Sequence, residues 1–142
     1  MAYHNLIQGS TFTDERGNIN FFNSFDMAKV ARFYEIKPSN IDIIRAWQAH
    51  KEELKWFYCH TGVFVVQLVE VDNFEQPSTL LNPKKIVLDA KNPAILEISG
   101  GYATGFKAIE ENSILQVFSN SSLDESKNDD FRYPIEKWEA KW

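Results

Sequence analysis

The segment RAWQAH at residues 45–50, followed by KEELKWFYCHTG at residues 51–62, decides the fold. Both segments contribute to short apolar runs that are rich in β-branched and aromatic residues, and these runs predict β-strands at residues 43–48 and 54–60. The next apolar run starts directly after the dipeptide TG at 61–62, which is typical of a tight connection between neighbouring strands. We therefore expect β-structure throughout this region.

The same pattern of short apolar runs and turn residues continues along the chain, and no run sustains the 3.6-residue period of a long helix. Further strands are predicted at residues 19–22, 31–36, 63–71, 85–88, 94–98, 102–108 and 114–119, with one helical turn at 26–29. About eight or nine short strands at this spacing predict a closed all-β barrel or jelly roll.

Two segments are too polar or too rich in proline for strands. Residues 74–83 contain two prolines and are interpreted as an exposed connection, and residues 121–130 are polar and expected to be mobile. After them, four apolar residues can dock a short C-terminal tail on the barrel: Phe131, Tyr133, Ile135 and Trp138. A chain of 142 residues can bury one continuous core, so we expect residues 1–142 to form a single domain.

The composition narrows the partners of the chain. A formal net charge of −5 and an isoelectric point near 5.2 leave no basic face for a phosphate backbone, so we expect no nucleic-acid binding. Cys59, the only cysteine, lies in an apolar run and is expected to be a buried small hydrophobe. The N-terminus shows no secretory signal, and no segment approaches the roughly 20 apolar residues of a membrane span. We therefore expect a cytoplasmic protein without membrane contact.

The strand at 45–50 and the residues after it resemble the first cupin motif, in which H-x-H is followed after four residues by Glu and after six more by Gly. His50 and Gly62 keep the identities of the second His and the Gly. Gln48 stands in place of the first His, and Lys55 stands in place of the Glu. The resemblance implies a single cupin, a double-stranded β-helix or jelly-roll barrel.

Residues 99–106 (SGGYATGF) are similar to the second cupin motif, P-x-G-x-x-H. Ser99 replaces the Pro, and Thr104 replaces the metal-binding His. A transition metal needs about three imidazole or carboxylate ligands around one ion, and His50 alone remains of the cupin set. The ammonium group of Lys55 would also repel a cation. We therefore expect no metal and no other cofactor.

Loss of the metal ligands together with a lysine at position 55 resembles the sugar-nucleotide cupins. From residue 12 to 138 the sequence is similar to the dTDP-4-dehydrorhamnose 3,5-epimerase superfamily, and within it to the dTDP-4-keto-6-deoxyglucose 3,4-ketoisomerases and WxcM-like proteins. The similarity includes the D-x-R-G turn at 14–17, the segment at 101–106 and the closing segment at 130–138. Members of the superfamily are commonly dimers with exchanged N-terminal strands, so the resemblance implies a homodimer.

Three replacements separate the chain from the epimerases of that superfamily. Gln48 replaces their catalytic His, and Tyr133 replaces the Asp that orients this His. Residues 114–119 contain no Tyr, so Val117 or a neighbour replaces the epimerase acid. An amide cannot accept a proton near pH 7, which argues against 3,5-epimerisation and leaves isomerisation open.

The ketoisomerases carry R-G-x-H-A-H-K on this strand, and the chain matches at Arg45, His50 and Lys51. Removing a proton α to a ketone requires a base near neutrality and a cation or donor at the developing oxyanion. His50 is the expected base, and Lys55 is the expected cation. On a regular strand Gln48 and His50 face the barrel interior, whereas Arg45 reaches it only through a bulge or at the barrel mouth.

The remaining candidate residues are expected to bind the substrate. Arg16 and Arg45 can pair with a diphosphate because a guanidinium fork matches phosphate oxygens. The rest of the expected substrate-binding set is Gln48, Tyr102 and Arg132. The alternatives are a surface salt bridge for each of the two arginines and a hydrogen-bonded interior position for His50.

The resemblance thus implies a nucleotide-sugar isomerase or epimerase that acts on a dTDP-linked 4-keto-6-deoxyhexose in surface-polysaccharide biosynthesis. One alternative is a module that binds a sugar nucleotide without turning it over, as the replacements at Gln48, Thr104 and Tyr133 would permit. Another is a cupin that binds a different small ligand, because a fold does not fix a function.

Overall fold

The chain folds into twelve β-strands, as a computed structural model of all 142 residues shows. The strands are β1 (His4–Gln8), β2 (Ser10–Asp14), β3 (Gly17–Phe21), β4 (Arg32–Ile36), β5 (Ile44–His50), β6 (Lys55–Thr61), β7 (Val63–Glu70), β8 (Lys84–Asp89), β9 (Ala94–Ile98), β10 (Tyr102–Ala108), β11 (Ile114–Ser119) and β12 (Phe131–Arg132). One five-stranded sheet has the order β1-β9-β6-β11-β4, and the other has the order β12-β5-β10-β7-β8. All pairings are antiparallel, and strands β2 and β3 form a hairpin of their own.

The two sheets bury an apolar core between them. Along β7, every second side chain points into this core, and Phe64, Val66 and Leu68 are all almost fully buried. They pack with inward-facing residues of the first sheet such as Phe57 and Leu96. Burial of each such side chain stabilises the fold by about 1.5–3 kcal/mol, so this interior is the main source of stability.

Cys59 belongs to the same core, as the sequence predicted. Burial raises the pKa of its thiol to about 12, because the thiolate would have no water around it.

Strand β5 departs from regular geometry at its centre. Its pairing with β10 runs from His50 opposite Tyr102 to Gln48 opposite Thr104, and it then shifts so that Arg45 lies opposite Phe106. Three residues of β5 therefore span the same length as two of β10, which is a β-bulge. Because of the bulge, the side chains that precede it on β5 point to the opposite face of the sheet from the one that regular alternation predicts.

A C-terminal tail covers the outer face of the second sheet, as predicted. Trp138 packs edge-on against Trp47 with ring centroids 5.5 Å apart, and both indoles are buried. Phe131 and Tyr133 pack against the same cluster. Ile135 does not dock as expected, because its side chain is exposed and only its backbone carbonyl takes part, by accepting a hydrogen bond from the Trp47 indole.

The predicted strands are confirmed with small shifts at their ends, and the helical turn is confirmed as a 3₁₀ turn at Met27–Lys29. Strands β1, β2 and β12 were not predicted, because their apolar residues are few and do not alternate over enough positions.

The segment expected to be mobile contains helix α1 (Leu123–Lys127) instead. Ser122 and Glu125 form a reciprocal capping box at its start, with hydrogen bonds of 3.2 and 2.9 Å.

The β2–β3 hairpin projects without a partner strand in its own chain. Phe12 and Ile19 lie opposite each other and are 54% and 61% exposed. Gly17 closes the turn with φ of 127°, a value that L residues with a side chain rarely adopt.

The all-β cupin architecture is confirmed. No helix in the structure has the length and apolar character that a membrane crossing requires.

Candidate active site

A cavity of about 990 Å³ opens at one end of the barrel, between the two sheets. Its walls come from β4, β5, β6, β10 and the segment around β12. The lining residues are Tyr34, Glu35, Ile36, Lys37, Ile44, Arg45, Ala46, Trp47, Gln48, Lys55, Phe57, Thr104, Phe106, Arg132 and Tyr133. A volume of this size can enclose a large part of a nucleotide-sized ligand.

The cavity is cationic although the whole chain is acidic. Four of its lining side chains are cationic and one is a carboxylate, whereas the chain carries a formal net charge of −5. The cations are Lys37, Arg45, Lys55 and Arg132. Clustering of these charges in one cleft attracts an anionic ligand and repels a cationic one.

Arg45 reaches the cavity wall through the bulge in β5. Its side chain is exposed and takes part in none of the salt bridges of the chain. The guanidinium fork therefore remains available for an incoming anion, without first breaking an internal ion pair.

Gln48 and Arg132 are held by a shared carboxylate. The Gln48 amide donates to Asp130 at 3.2 Å, and Arg132 donates to the same oxygen at 2.8 Å. Partial burial acts to raise the pKa of Asp130, but these two hydrogen bonds and the Arg132 charge outweigh it and lower that pKa below its usual value. The carboxylate beside Gln48 thus comes from Asp130, three residues before Tyr133.

Lys55 and His50 differ in their access to the cavity. Lys55 is buried and lines the cavity, and its ammonium lies 3.4 Å from the Glu53 carboxylate. His50 does not line the cavity: its Nδ1–H donates to the Asp129 carbonyl at 2.5 Å, and its Nε2 lies 3.7 Å from Glu53. Burial and the Lys55 charge lower the pKa of His50, although the Glu53 charge partly opposes them. The imidazole is therefore neutral near pH 7.

The structure separates three tyrosines of the barrel by whether the hydroxyl is free and whether the residue lines the cavity. Tyr34 lines the cavity and its hydroxyl has no hydrogen-bond partner in the chain. The Tyr133 hydroxyl is engaged, because it donates to the Phe74 carbonyl at 2.7 Å. Tyr102 lies away from the cavity, and its hydroxyl pairs with His4 at 3.0 Å.

Arg16 also lies away from the cavity of its own chain. It sits in the turn of the projecting hairpin and forms a 2.6 Å ion pair with Asp14. The structure thus brings together four of the seven expected site residues, namely Arg45, Gln48, Lys55 and Arg132.

Sequence reasoning missed the carboxylates Glu53, Asp129 and Asp130, although Glu53 lies only two residues before Lys55, and this closeness could have suggested a pair. The structure contains no group of three side chains arranged to hold a metal ion.

Solved structures match the chain over most of its length. A mutant of the 3,4-ketoisomerase QdtA from Thermoanaerobacterium thermosaccharolyticum, in complex with TDP-4-keto-6-deoxyglucose, gives a TM-score of 0.70 at 22% identity, over 92% of this chain and 87% of that chain. The TDP-quinovose 3,4-ketoisomerase WlaRB from Campylobacter jejuni gives 0.69 at 18% identity, over 92% of each chain. The 3′-monoepimerase ChmJ from Streptomyces bikiniensis, in complex with dTDP-quinovose, gives 0.76 at 14% identity, over 93% and 70% of the respective chains.

No protein-family model and no curated protein sequence matches the chain. The likeness therefore concerns the three-dimensional fold. The chain has the cupin jelly-roll fold of the dTDP-sugar 3,4-ketoisomerases and epimerases.

Proposed function

We propose that the chain is a metal-independent isomerase or epimerase of a dTDP-linked 4-keto-6-deoxyhexose, with the cavity as its active site. The observation that carries the proposal is the cluster of four cationic side chains in a barrel cavity of an acidic protein. The fold neighbours support it, because their structures include TDP-4-keto-6-deoxyglucose and dTDP-quinovose.

The proposed diphosphate site is at the cavity mouth, where Arg45 and Arg132 are exposed. Arg45 is free of internal ion pairs, whereas Arg132 is already oriented by Asp130. Two guanidinium groups can each offer paired N–H donors to phosphate oxygens. Lys37 lines the same cavity, with its ammonium 3.8 Å from the Glu35 carboxylate.

The proposed keto-sugar site is deeper, where Lys55 and Tyr34 line the wall. Loss of a proton from the carbon next to the ketone gives an enolate, and the Lys55 ammonium is placed to stabilise its oxygen. The neutral imidazole of His50, in the layer behind, is the proposed acceptor of that proton, and the free hydroxyl of Tyr34 is the proposed donor that returns one to the enolate. Gln48 cannot act as a base, but its amide is held by Asp130 and can hydrogen-bond a sugar oxygen.

His50 remains a candidate base, but it does not line the cavity, so a proton from the substrate has to reach it through other groups. Both of its ring nitrogens face protein atoms, namely the Asp129 carbonyl and the Glu53 carboxylate. A proton that His50 accepts must therefore cross the wall that Lys55 forms. We accordingly place Lys55 and Tyr34 at the substrate and His50 in the layer behind them.

We further propose that two copies form a homodimer through the projecting hairpin. The hairpin exposes Phe12 and Ile19 and has no partner strand in its own chain, and β4 is an open sheet edge. In such a dimer, Arg16 would contribute to a substrate site only in the partner copy. Light scattering should give twice the chain mass for the wild type and a monomer for Ile19→Asp; a monomeric wild type would contradict this.

The second candidate function is a module that binds the sugar nucleotide without turning it over. For either function, we propose the cytoplasm as the location. It is favoured by one observation: no imidazole lines the cavity. Product analysis separates the two. Incubation with dTDP-4-keto-6-deoxyglucose should yield a 3-keto isomer or a C3 or C5 epimer by NMR. Calorimetric binding without any product would favour the module, and absence of binding would contradict both.

A further inference from the structure

A group of charged and titratable side chains lies directly behind the cavity wall, and the roles proposed above leave its centre unexplained. At that centre is Glu53, whose side chain is 0% exposed. Its carboxylate lies 3.4 Å from Lys55 Nζ, 3.6 Å from an Arg32 guanidinium nitrogen and 3.7 Å from His50 Nε2. Side chains from β4, β5 and β6 thus converge on one carboxylate.

Stability alone does not account for this arrangement. Both carboxylate oxygens of Glu53 are buried and lack a hydrogen bond. Nε2 of His50 is likewise buried and lacks a hydrogen bond. A buried carboxylate without hydrogen bonds costs free energy, and apolar residues at such places are often as stable or more stable. The group therefore has to be explained by what it does for a neighbour.

The neighbour that reaches the ligand space is Lys55. Glu53 lies in the turn between β5 and β6, and both its side chain and that of Lys55 are buried, but only Lys55 lines the cavity. The Asp129 carboxylate accepts hydrogen bonds from three successive backbone N–H groups. They belong to Lys51, Glu52 and Glu53, at 2.7, 2.9 and 3.0 Å. The anion behind Lys55 is consequently held on a rigid turn.

We infer that Glu53 is a positioning residue, whose carboxylate holds the Lys55 ammonium at the cavity wall. The role of Lys55 toward a substrate rests on the proposed function, but the pairing itself does not. Without the carboxylate, Lys55 would share a buried space with the Arg32 guanidinium, and repulsion would displace it or favour the neutral amine. His50 and Asp129 complete the set of titratable groups around this point.

Chemical labelling tests the inference without any substrate. Lysines are acetylated with limiting acetic anhydride, which attacks only neutral amines, and Lys55 is quantified by peptide mass spectrometry. We expect Glu53→Gln to raise Lys55 acetylation about fivefold or more, because the amide no longer stabilises the ammonium. Glu52→Gln is the matched control, since Glu52 is exposed. Equal Lys55 acetylation in the two variants would overturn the inference.

An activity measurement then separates positioning from support of the fold. With folding checked by circular dichroism, Glu53→Gln should lower kcat about 10²-fold and change KM little, because it removes a group that acts through an oxyanion donor. In a Lys55→Gln background the same change should have no further effect on kcat. A full additional loss there would overturn the inference.

The two proposals fail in distinguishable ways. If the wild type converts no keto-sugar nucleotide, the proposed function fails, while Lys55 acetylation still decides the role of Glu53. If Glu53→Gln does not fold, acetylation is measured on Glu53→Asp. This variant keeps the negative charge but shortens the side chain by one methylene group, which moves the carboxylate away from Lys55. Increased labelling of Lys55 supports the inference there, and unchanged labelling overturns it.

Discussion

Strands β5 and β7 both pair with β10, one on each side, but only β7 does so in regular register. Strand β7 pairs with β10 in unbroken register and presents Phe64, Val66 and Leu68 to the interior. Strand β5 loses register at its bulge and presents polar residues, including Gln48 and His50. Regular alternation on one side builds a packed core, and irregularity on the other opens a charged cavity. Stability and function should therefore respond to different substitutions.

The largest effect on stability is expected on β7. Leu68→Ala should lower the free energy of unfolding by about 2–5 kcal/mol, because it leaves a cavity in a fully packed region. Urea denaturation measures this loss. Turnover per folded molecule should remain at the wild-type level, and a fall in turnover with unchanged stability would break the division between the two strands.

The largest effect on turnover is expected at the cavity wall. Tyr34→Phe should reduce the rate of proton exchange about 10²-fold, because it removes a proton donor that faces the ligand space. Its stability should stay within about 0.5 kcal/mol of the wild type, since the hydroxyl has no hydrogen bond to lose. Tyr58→Phe, on the outer face of β6, is the control and should leave the exchange rate unchanged.

A smaller effect is expected for ligand affinity at the cavity mouth. Arg45→Gln should weaken dTDP binding about 10- to 100-fold in calorimetry, through loss of charge-assisted hydrogen bonds. Lys91→Gln removes the same charge from an exposed turn that does not line the cavity, and it should change affinity little. Equal losses in both variants would mean that only overall charge matters, against a diphosphate site at the bulge.

The smallest effect is expected in the pH dependence of stability. The pKa of His50 is lowered in the folded protein by burial, so the unfolded chain binds a proton more readily. Stability should thus be fully present above the usual histidine pKa and should fall as the pH drops below about 6.5. His50→Asn should flatten this fall in urea titrations, and an unchanged slope would contradict a buried neutral imidazole.

Sequence patterns predicted the core better than the cavity, for a physical reason. Strands such as β9, β10 and β11 carry dense apolar and β-branched runs, which are local signals. The site partners are not local: Asp130 meets Gln48 from 82 residues away, and Asp129 meets His50 from 79 residues away. Motif spacing found Arg45 and Lys55, whereas only folding could show which carboxylate lies beside Gln48.

The expected position of Arg45 illustrates the same limit. Strand parity placed it outside the barrel unless a bulge intervened, and the bulge is present. His50 had the correct parity but does not line the cavity: its Nδ1 is bonded to the Asp129 carbonyl, and its Nε2 is buried 3.7 Å from Glu53. Parity predicts the face of a sheet, and packing decides which residues on that face meet a ligand.

The most direct test of the account follows single protons. dTDP-4-keto-6-deoxyglucose is incubated with the protein in deuterated water, and the proton signals at C3 and C5 are recorded by NMR over time. We predict loss of the C3 or C5 signal with wild-type protein, and a rate about 10²-fold lower with Tyr34→Phe. Tight binding with both signals intact would contradict it.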